Sequence, residues 1–233
     1  RKKQFKNFIR KYGLKDKKII EIGCGRGENL SIMQKAEAKI YGLEQSIDSV
    51  NYCNAHKLKV SGGFIERKDI GLKNAPFDAF FTLNLLEHIP HPNLMLRGIA
   101  NNLTKDAIGL IEVPNFDMML RKNLFSEFTS DHLFYFTKDT LETMLKLNGF
   151  EILECKEIWH DYSLSAIVRK KERTNLANFK KYQKQLGNEI NAYINLFGNQ
   201  NVAIWGAGHQ AMAVMALTGL SDKIKYVVDS APF

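Results

Sequence analysis

Three glycines at alternate positions are the strongest sign of a binding site in this sequence. They lie in the segment Glu21-Ile22-Gly23-Cys24-Gly25-Arg26-Gly27, at the end of a strand-like apolar run. Glycine lets a backbone turn sharply and approach a ligand without interference from a Cβ atom. The segment therefore predicts a ligand-binding loop, and a tight turn that only packs is the alternative. Gly27 comes four positions after Gly23, whereas a dinucleotide motif needs five, which weighs against a nicotinamide ligand here.

Acidic side chains follow the next two predicted strands. Glu44 comes directly after Ile40–Leu43, and Asp69 with Ile70 comes after Gly63–Glu66. In a doubly wound fold, a carboxylate at such a strand end accepts hydrogen bonds from a ribose diol. Asp69 could accept a hydrogen bond from an adenine amino group while Ile70 packs on the ring. An exposed acid at a strand end or turn is the alternative for each.

Two histidines could move a proton in this sequence. His88 follows the strand-like run Phe77–Leu83, and His132 lies in a loop before a predicted helix. Imidazole titrates near neutral pH, so either side chain could act as a general base. Asp131 could orient His132, and Tyr135 could donate to a developing oxyanion. The alternatives are a loop-carbonyl contact for His88 and simple core packing for Tyr135.

Strands and helices alternate along the part of the chain that holds these residues. The predicted strands lie at 19–22, 40–43, 63–66, 77–83 and 108–113, and the predicted helices at 3–12, 29–35, 48–56, 93–102 and 138–147. This alternation predicts an α/β fold with a parallel sheet covered on both faces. Two strands in succession, Phe150–Lys156 and His160–Val168, predict an antiparallel pair at the edge of the sheet.

A second, smaller unit is predicted after residue 170. Apolar residues recur at steps of three and four, which predicts an amphipathic linker helix over 171–198. A strand then enters Gly206–Ala211, whose spacing fits a dinucleotide motif, and Asp229 closes the next strand. Only one βαβ unit is visible in 199–233, so we expect this domain to be incomplete.

The glycine loop, Glu44, Asp69 and the segment Asn84–His88 together resemble the class I S-adenosylmethionine-dependent methyltransferases over about residues 17–168. The resemblance implies a doubly wound, seven-stranded, Rossmann-like sheet with an antiparallel terminal hairpin, and S-adenosylmethionine as the cofactor. The implied cofactor contacts are the loop residues Glu21, Gly23, Cys24, Gly25 and Gly27 for the amino-acid part, Glu44 beside Gln45 for the ribose, Asp69 and Ile70 for the adenine, and Asn84 and Leu85 for the sulfonium.

Segments Val113–Phe116, Leu124–Glu127 and Asp131–Thr137 are similar to the sugar C-methyltransferase family. Members act on nucleotide-linked keto-deoxysugars and carry a Rossmann-like domain after the catalytic one. The resemblance implies methylation of carbon with His132 as the general base, in a catalytic site that includes Asp131, Tyr135 and His88. Many members have Glu-His where this chain has Asp131-His132, and members usually begin with a zinc-binding module that this sequence does not contain.

Two other functions remain open at this stage. An oxygen or nitrogen methyltransferase of another small molecule would bind the same donor without exchanging a carbon-bound proton. A nicotinamide-binding oxidoreductase would use the loop Gly206–Ala211 instead.

Charge and cysteine content limit the other classes of function. The formal net charge of +8 lies in Arg1–Lys18, which has nine basic residues and one acid, so nucleic-acid binding is not expected. Cys24, Cys53 and Cys155 form no CxxC pair, so we expect neither a disulfide framework nor a metal site. No apolar run reaches the ~18 residues of a membrane span. We therefore expect a cytoplasmic protein that acts on a small molecule, without a membrane partner.

Overall fold

The computed structural model of the chain describes residues 1–171, 177–197 and 202–230. The chain divides into two compact units, Arg1–Arg173 and Thr174–Phe233. In the described ranges, no helix has both the length and the apolar character to cross a membrane.

The first unit is built on a sheet of seven strands. The strands are β1 (Lys18–Ile22), β2 (Lys39–Glu44), β3 (Val60–Gly62), β4 (Phe77–Leu83), β5 (Leu103–Pro114), β6 (Phe150–Ile158) and β7 (Ser163–Lys170). Their order is β3-β2-β1-β4-β5-β7-β6. The first five strands are parallel, whereas β7 runs antiparallel to both β5 and β6. The predicted α/β sheet with an antiparallel terminal hairpin is confirmed.

Six helices connect these strands or precede them. They are α1 (Lys2–Lys11), α2 (Glu28–Gln34), α3 (Ile47–Ala55), α4 (Pro92–Asn101), α5 (Phe116–Arg121) and α6 (Lys138–Leu147), with short 3-10 turns at Leu86–His88 and Phe125–Glu127. The predicted helices agree with five of these to within about two residues. Helix α5 was not predicted, because its six residues are too few to show a clear helical period.

The sheet is buried on both faces, and neighbouring residues of one strand point to different faces. Ile19 packs in one apolar cluster with Phe5 and Phe8 of α1. Ile20 and Ile22 belong to a second cluster, on the other face. Burial on both faces explains why the central strands are almost continuously apolar in sequence.

The third strand and the hairpin turn differ from the prediction. Strand β3 covers Val60–Gly62, whereas the predicted segment 63–66 has no regular structure. Strand β7 begins at Ser163, because Trp159, His160 and Asp161 adopt positive φ values of 54°, 56° and 68° in the turn before it. Three consecutive left-handed residues reverse the chain and cannot form part of a strand.

The basic residues at the N-terminal end are partly paired within the first unit. Arg1 and Gln4 both bond to the buried carboxylate of Glu112. Lys11 forms an ion pair with Glu154, with Nζ 2.9 Å from Oε2. These contacts fix α1 over the sheet, so part of the basic surplus has partners inside the fold.

The second unit contains helix α7 (Ala177–Asn195), strand β8 (Ala203–Trp205), helix α8 (His209–Thr218) and strand β9 (Tyr226–Val228). The two strands are parallel, as a βαβ connection requires. The predicted linker helix over 171–198 overlaps α7. Residues 172–176, 198–201 and 231–233, which the sequence-based domains also included, lie outside the described residues.

Candidate active site

A cavity of about 220 Å³ opens at the carboxyl ends of β1, β2 and β4. This is where the strand order reverses, and ligands of open α/β sheets bind at such a point. Its walls include Gly23 after β1, Glu44 and Gln45 at the end of β2, and Leu85 and His88 after β4. Five of the predicted site residues therefore line one cavity.

The glycine loop approaches the turn after β4 very closely. Gly23 has a φ of 73°, and a Cβ atom there would lie 2.7 Å from Cδ2 of Leu85. Gly27 has a φ of 79°, and a Cβ atom there would lie 2.5 Å from Cδ1 of Leu58. The positive φ favours glycine at both positions, and a Cβ atom at either one would force the neighbouring leucine side chain to move. At Gly25 such a Cβ would meet nothing within 4 Å in the part of the chain that the structure describes, chain neighbours aside, so its φ of 51° is what favours glycine.

Glu44 connects the end of β2 to the glycine loop. Its Oε2 atom accepts a hydrogen bond from the Gly25 amide at 2.8 Å, and its Oε1 atom accepts one from the Ser46 amide at 2.9 Å. The carboxylate is thus held at the cavity wall, where it can accept further bonds from ligand hydroxyls.

Glu21 and Cys24 lie behind the loop rather than on the cavity wall. Glu21 is 2% exposed, and its Oε1 atom accepts a hydrogen bond from Asn29 at 3.1 Å. Burial raises the pKa of Glu21 to about 8, so the carboxyl group is mainly protonated at neutral pH. Cys24 is buried as well, and burial raises the pKa of its thiol.

Asp69, Ile70 and Asn84 are not brought to the cavity wall. The Asp69 side chain is 72% exposed, with its Oδ1 atom 3.8 Å from Nε of Arg67. Ile70 packs against the apolar core. Phe64 and Ile65 line the cavity instead. Strand β3 ends at Gly62, and the irregular segment after it, rather than Asp69 and Ile70, runs along the cavity.

His88 and His132 face each other beside this cavity. Their ring centroids are 4.8 Å apart in an edge-to-face arrangement. Nδ1 of His88 donates to the backbone oxygen of Asp131 at 2.8 Å. The amides of Leu133 and Phe134 donate to the backbone oxygen of Glu87. The turn after β4 and the loop around His132 are therefore joined by three hydrogen bonds.

Asp131 and Tyr135 make contacts that the sequence did not indicate. The Asp131 carboxylate lies beside His88, with Oδ2 3.6 Å from Nδ1. A hydrogen bond from Thr129 holds the pKa of Asp131 below its usual value. The Tyr135 hydroxyl accepts from the Thr129 amide at 2.9 Å and donates to its carbonyl at 3.3 Å. Its hydrogen bonds thus fix the loop.

Glu87 is a residue of this site that the sequence analysis did not single out. Its side chain is 1% exposed, and neither carboxylate oxygen has a hydrogen-bond partner among the described residues. Its Oε1 atom lies 4.0 Å from Nε2 of His88, and burial raises the pKa of Glu87. An acid inside the apolar segment 85–89 was a signal that could have identified it.

A sheet of this order, with a glycine loop and an acid at the ends of β1 and β2, defines a class I S-adenosylmethionine-dependent methyltransferase domain. A family profile described as a methyltransferase domain matches residues 1–155. The chain belongs to this family, and S-adenosylmethionine is the cofactor of the domain.

Curated relatives and solved structures agree with this assignment. The C-methyltransferase NovU of Streptomyces niveus is 21% identical over 139 residues, which are 58% of this chain and 33% of that protein. The ubiquinone biosynthesis O-methyltransferase of Idiomarina loihiensis is 30% identical over 97 residues, which are 39% of this chain and 40% of that protein. The matches thus span well under half the length of these two relatives.

The solved structure of magnesium protoporphyrin IX methyltransferase (ChlM) from Synechocystis PCC 6803 with bound SAH has the same fold. The TM-score is 0.58 at 14% identity, and the likeness covers 73% of this chain and 82% of that chain. At this identity, the likeness establishes the fold alone.

Proposed function

We propose that this protein transfers a methyl group to carbon of a nucleotide-linked keto-deoxysugar, with His132 as the general base. The observation that carries the proposal is the pairing of His88 and His132 beside the cavity at the ends of β1, β2 and β4. The similarity to a protein named C-methyltransferase supports the same chemistry.

The residues of the cavity fit the donor. Glu44 offers carboxylate oxygens for the ribose, and Gly23 lets the backbone approach the amino-acid part. Phe64 and Ile65 supply an apolar wall for the adenine in place of Ile70. When bound, S-adenosylmethionine supplies an electrophilic methyl group on a sulfonium. The enzyme has chiefly to hold the acceptor close to that methyl group.

Methylation of carbon also requires removal of a proton beside a carbonyl group. Nδ1 of His132 is buried and has no hydrogen-bond partner among the described residues, so no hydrogen bond within this part of the chain occupies it. His88 donates through Nδ1 to Asp131, which fixes its ring next to that of His132. We assign His132 to proton abstraction and His88 to positioning of the acceptor.

Transfer to oxygen is the second candidate function. The similarity to ubiquinone biosynthesis O-methyltransferases favours it, and the same cavity would hold the same donor. The two functions differ in one observable step, because only the carbon acceptor loses a carbon-bound proton before transfer.

We also retain the cytoplasm as the compartment expected from the sequence.

Mass spectrometry can test the proposal with nucleotide-linked 4-keto-6-deoxysugars, S-adenosylmethionine and protein in deuterated water. We expect protein-dependent deuterium uptake and methylation at the carbon beside the ketone. His132→Ala should lose both while still binding S-adenosylhomocysteine. The matched control His56→Ala, at the residue that directly follows α3 and does not line the cavity, should retain both. Methylation of a hydroxyl group without deuterium uptake would overturn the carbon assignment.

A further inference from the structure

Three potential metal ligands come together beside the donor cavity. Glu87 and His88 belong to the turn after β4, and His132 comes from the loop before α6. One ligand atom from each lies within 4.8 Å of the other two. No metal site was expected from the sequence. His132 lies 44 residues after His88, so the three ligands form no spaced motif.

The ligand atoms of this cluster have few other partners. Both carboxylate oxygens of Glu87 and Nδ1 of His132 are buried without a hydrogen bond to any described residue. Burying such groups unpaired is costly, and a buried carboxylate is normally paired or bound to a metal. The oxygens of Glu87 are thus open to a positively charged ligand.

The orientation of His88 also fits metal binding. Its Nδ1 atom donates to the backbone oxygen of Asp131 at 2.8 Å. The lone pair of the neutral ring is therefore on Nε2, which lies 4.0 Å from Oε1 of Glu87. Metal-binding histidines usually have this arrangement, in which the second ring nitrogen donates to a carbonyl or carboxylate group.

We propose that Glu87, His88 and His132 bind a divalent transition-metal ion such as Zn²⁺ or Co²⁺. Two imidazoles and one carboxylate suit ions of this class better than Mg²⁺ or Ca²⁺, which prefer oxygen ligands. Tetrahedral bonds of ~2.0–2.1 Å place the ligand atoms roughly 3.4 Å apart. The ligand atoms lie within 4.8 Å of one another, so binding requires side-chain movements of up to about 1.4 Å.

The proposed ion would leave a coordination position free for water or for an acceptor oxygen, as in other sites with three protein ligands. An ion bound to His132 would compete with proton abstraction by this side chain. The base catalysis proposed above is therefore assigned to the metal-free chain. The inference goes beyond the proposed function and does not depend on which acceptor is used.

Titration of the metal-free, untagged full chain with Co²⁺ tests the site without donor or acceptor. We expect one equivalent to bind, with visible absorption of a low-symmetry nitrogen and oxygen site, and Zn²⁺ to displace it. Glu87→Gln and His132→Ala should each weaken Co²⁺ binding roughly 100-fold. Removing an outer-shell partner typically costs about 10- to 100-fold in metal affinity, and removing a direct ligand should cost at least as much. His56→Ala should bind Co²⁺ like the unchanged chain.

Binding of S-adenosylhomocysteine and the thermal unfolding curve check that each variant is folded. Unchanged Co²⁺ affinity in folded Glu87→Gln and His132→Ala would overturn the proposal, as would a thiolate-to-cobalt charge-transfer band. Sugar methylation is measured separately in the presence of a chelator. The presence or absence of sugar methylation tests the proposed function, and neither result changes the outcome of the metal titration.

Discussion

The chain contains two glycine loops that follow the same plan but differ in their surroundings. In both, an acid at the end of the next strand accepts a hydrogen bond from a loop amide. Glu44 accepts from Gly25 at 2.8 Å in the first unit, and Asp229 accepts from Ala207 at 2.5 Å in the second. The local architecture alone therefore does not distinguish the loops.

Packing distinguishes them clearly. A Cβ atom at Gly23 would collide with Leu85, whereas at Gly206 and Gly208 such a Cβ would meet nothing within 4 Å among the described residues, chain neighbours aside. Strand β1 is buried within a seven-stranded sheet, and all three residues of β9 are exposed. The second loop has the better dinucleotide spacing, yet the first has the sheet that gathers ligand-binding residues at one edge. Surroundings thus outweigh motif spacing.

The largest expected effect comes from Gly23→Val, which should abolish S-adenosylhomocysteine binding. The added side chain would displace Leu85, on the cavity wall, and the residue would have to retain a φ of 73°. Isothermal titration measures the loss, with Gly208→Ala as the matched control in the second loop. Full affinity in a folded Gly23→Val would contradict the importance of this close approach.

The second-largest expected effect is a dependence of stability on pH, which arises beside the first loop and has no equivalent beside the second. Glu21, two residues before the first loop, has a folded pKa raised to about 8 from a usual 4.5, whereas Ile204 takes the equivalent place in the second unit. Between these two pKa values, the Glu21 carboxyl group is protonated in the folded state and ionised in the unfolded state. The stabilisation is therefore complete below about pH 4.5 and is lost as the pH rises through about 8.

Thermal unfolding between these pH values measures this loss. As the pH rises from about 4.5 to about 8, we expect the unfolding temperature of the unchanged chain to fall relative to that of Glu21→Gln, by roughly 10 °C for a difference of about 5 kcal/mol. The amide cannot titrate, so it serves as the matched comparison. Parallel pH curves for the two proteins would show that Glu21 does not carry the effect.

The fold could be predicted largely from local patterns. The strand Phe77–Leu83 and the helix Lys138–Leu147 were predicted with the same bounds that the structure shows. Continuous apolar runs and helical periods depend on neighbouring residues, so they can be recognised without knowledge of the tertiary structure. Strand β3 was misplaced, because only its pairing with β2 decides which three residues are in the sheet.

The candidate site could be predicted only in part. Gly23, Glu44 and His88 follow strands of a parallel sheet, so their convergence follows from the topology. The bond between His88 and Asp131 joins residues 43 positions apart and depends on how a loop folds back. Glu87 was missed for a related reason, since only packing shows that its carboxylate is buried without a partner.

A smaller effect is expected from Glu44→Gln. The amide retains the shape but accepts hydrogen bonds less strongly from the Gly25 amide and from a ribose diol. We expect S-adenosylhomocysteine affinity to fall about tenfold, or about 1.4 kcal/mol. Equilibrium titration tests this value, and an unchanged affinity would show that Glu44 is not a donor contact.

The smallest effect should come from Asp229→Asn, the same change at the equivalent position of the second loop. It weakens the bond to Ala207 in the second unit, whereas the residues that line the donor cavity all belong to the first unit. The same titration should give an affinity equal to that of the unchanged chain. A loss comparable to that of Glu44→Gln would mean that the two loops do not differ in the way that their packing indicates.

The most direct test of the account is a calorimetric titration of the unchanged chain with S-adenosylhomocysteine and, separately, with NAD⁺. If the first loop is the functional one, S-adenosylhomocysteine should bind at a single site and NAD⁺ should give no binding heat. Binding of NAD⁺ without binding of S-adenosylhomocysteine would contradict the account and assign the function to the second loop.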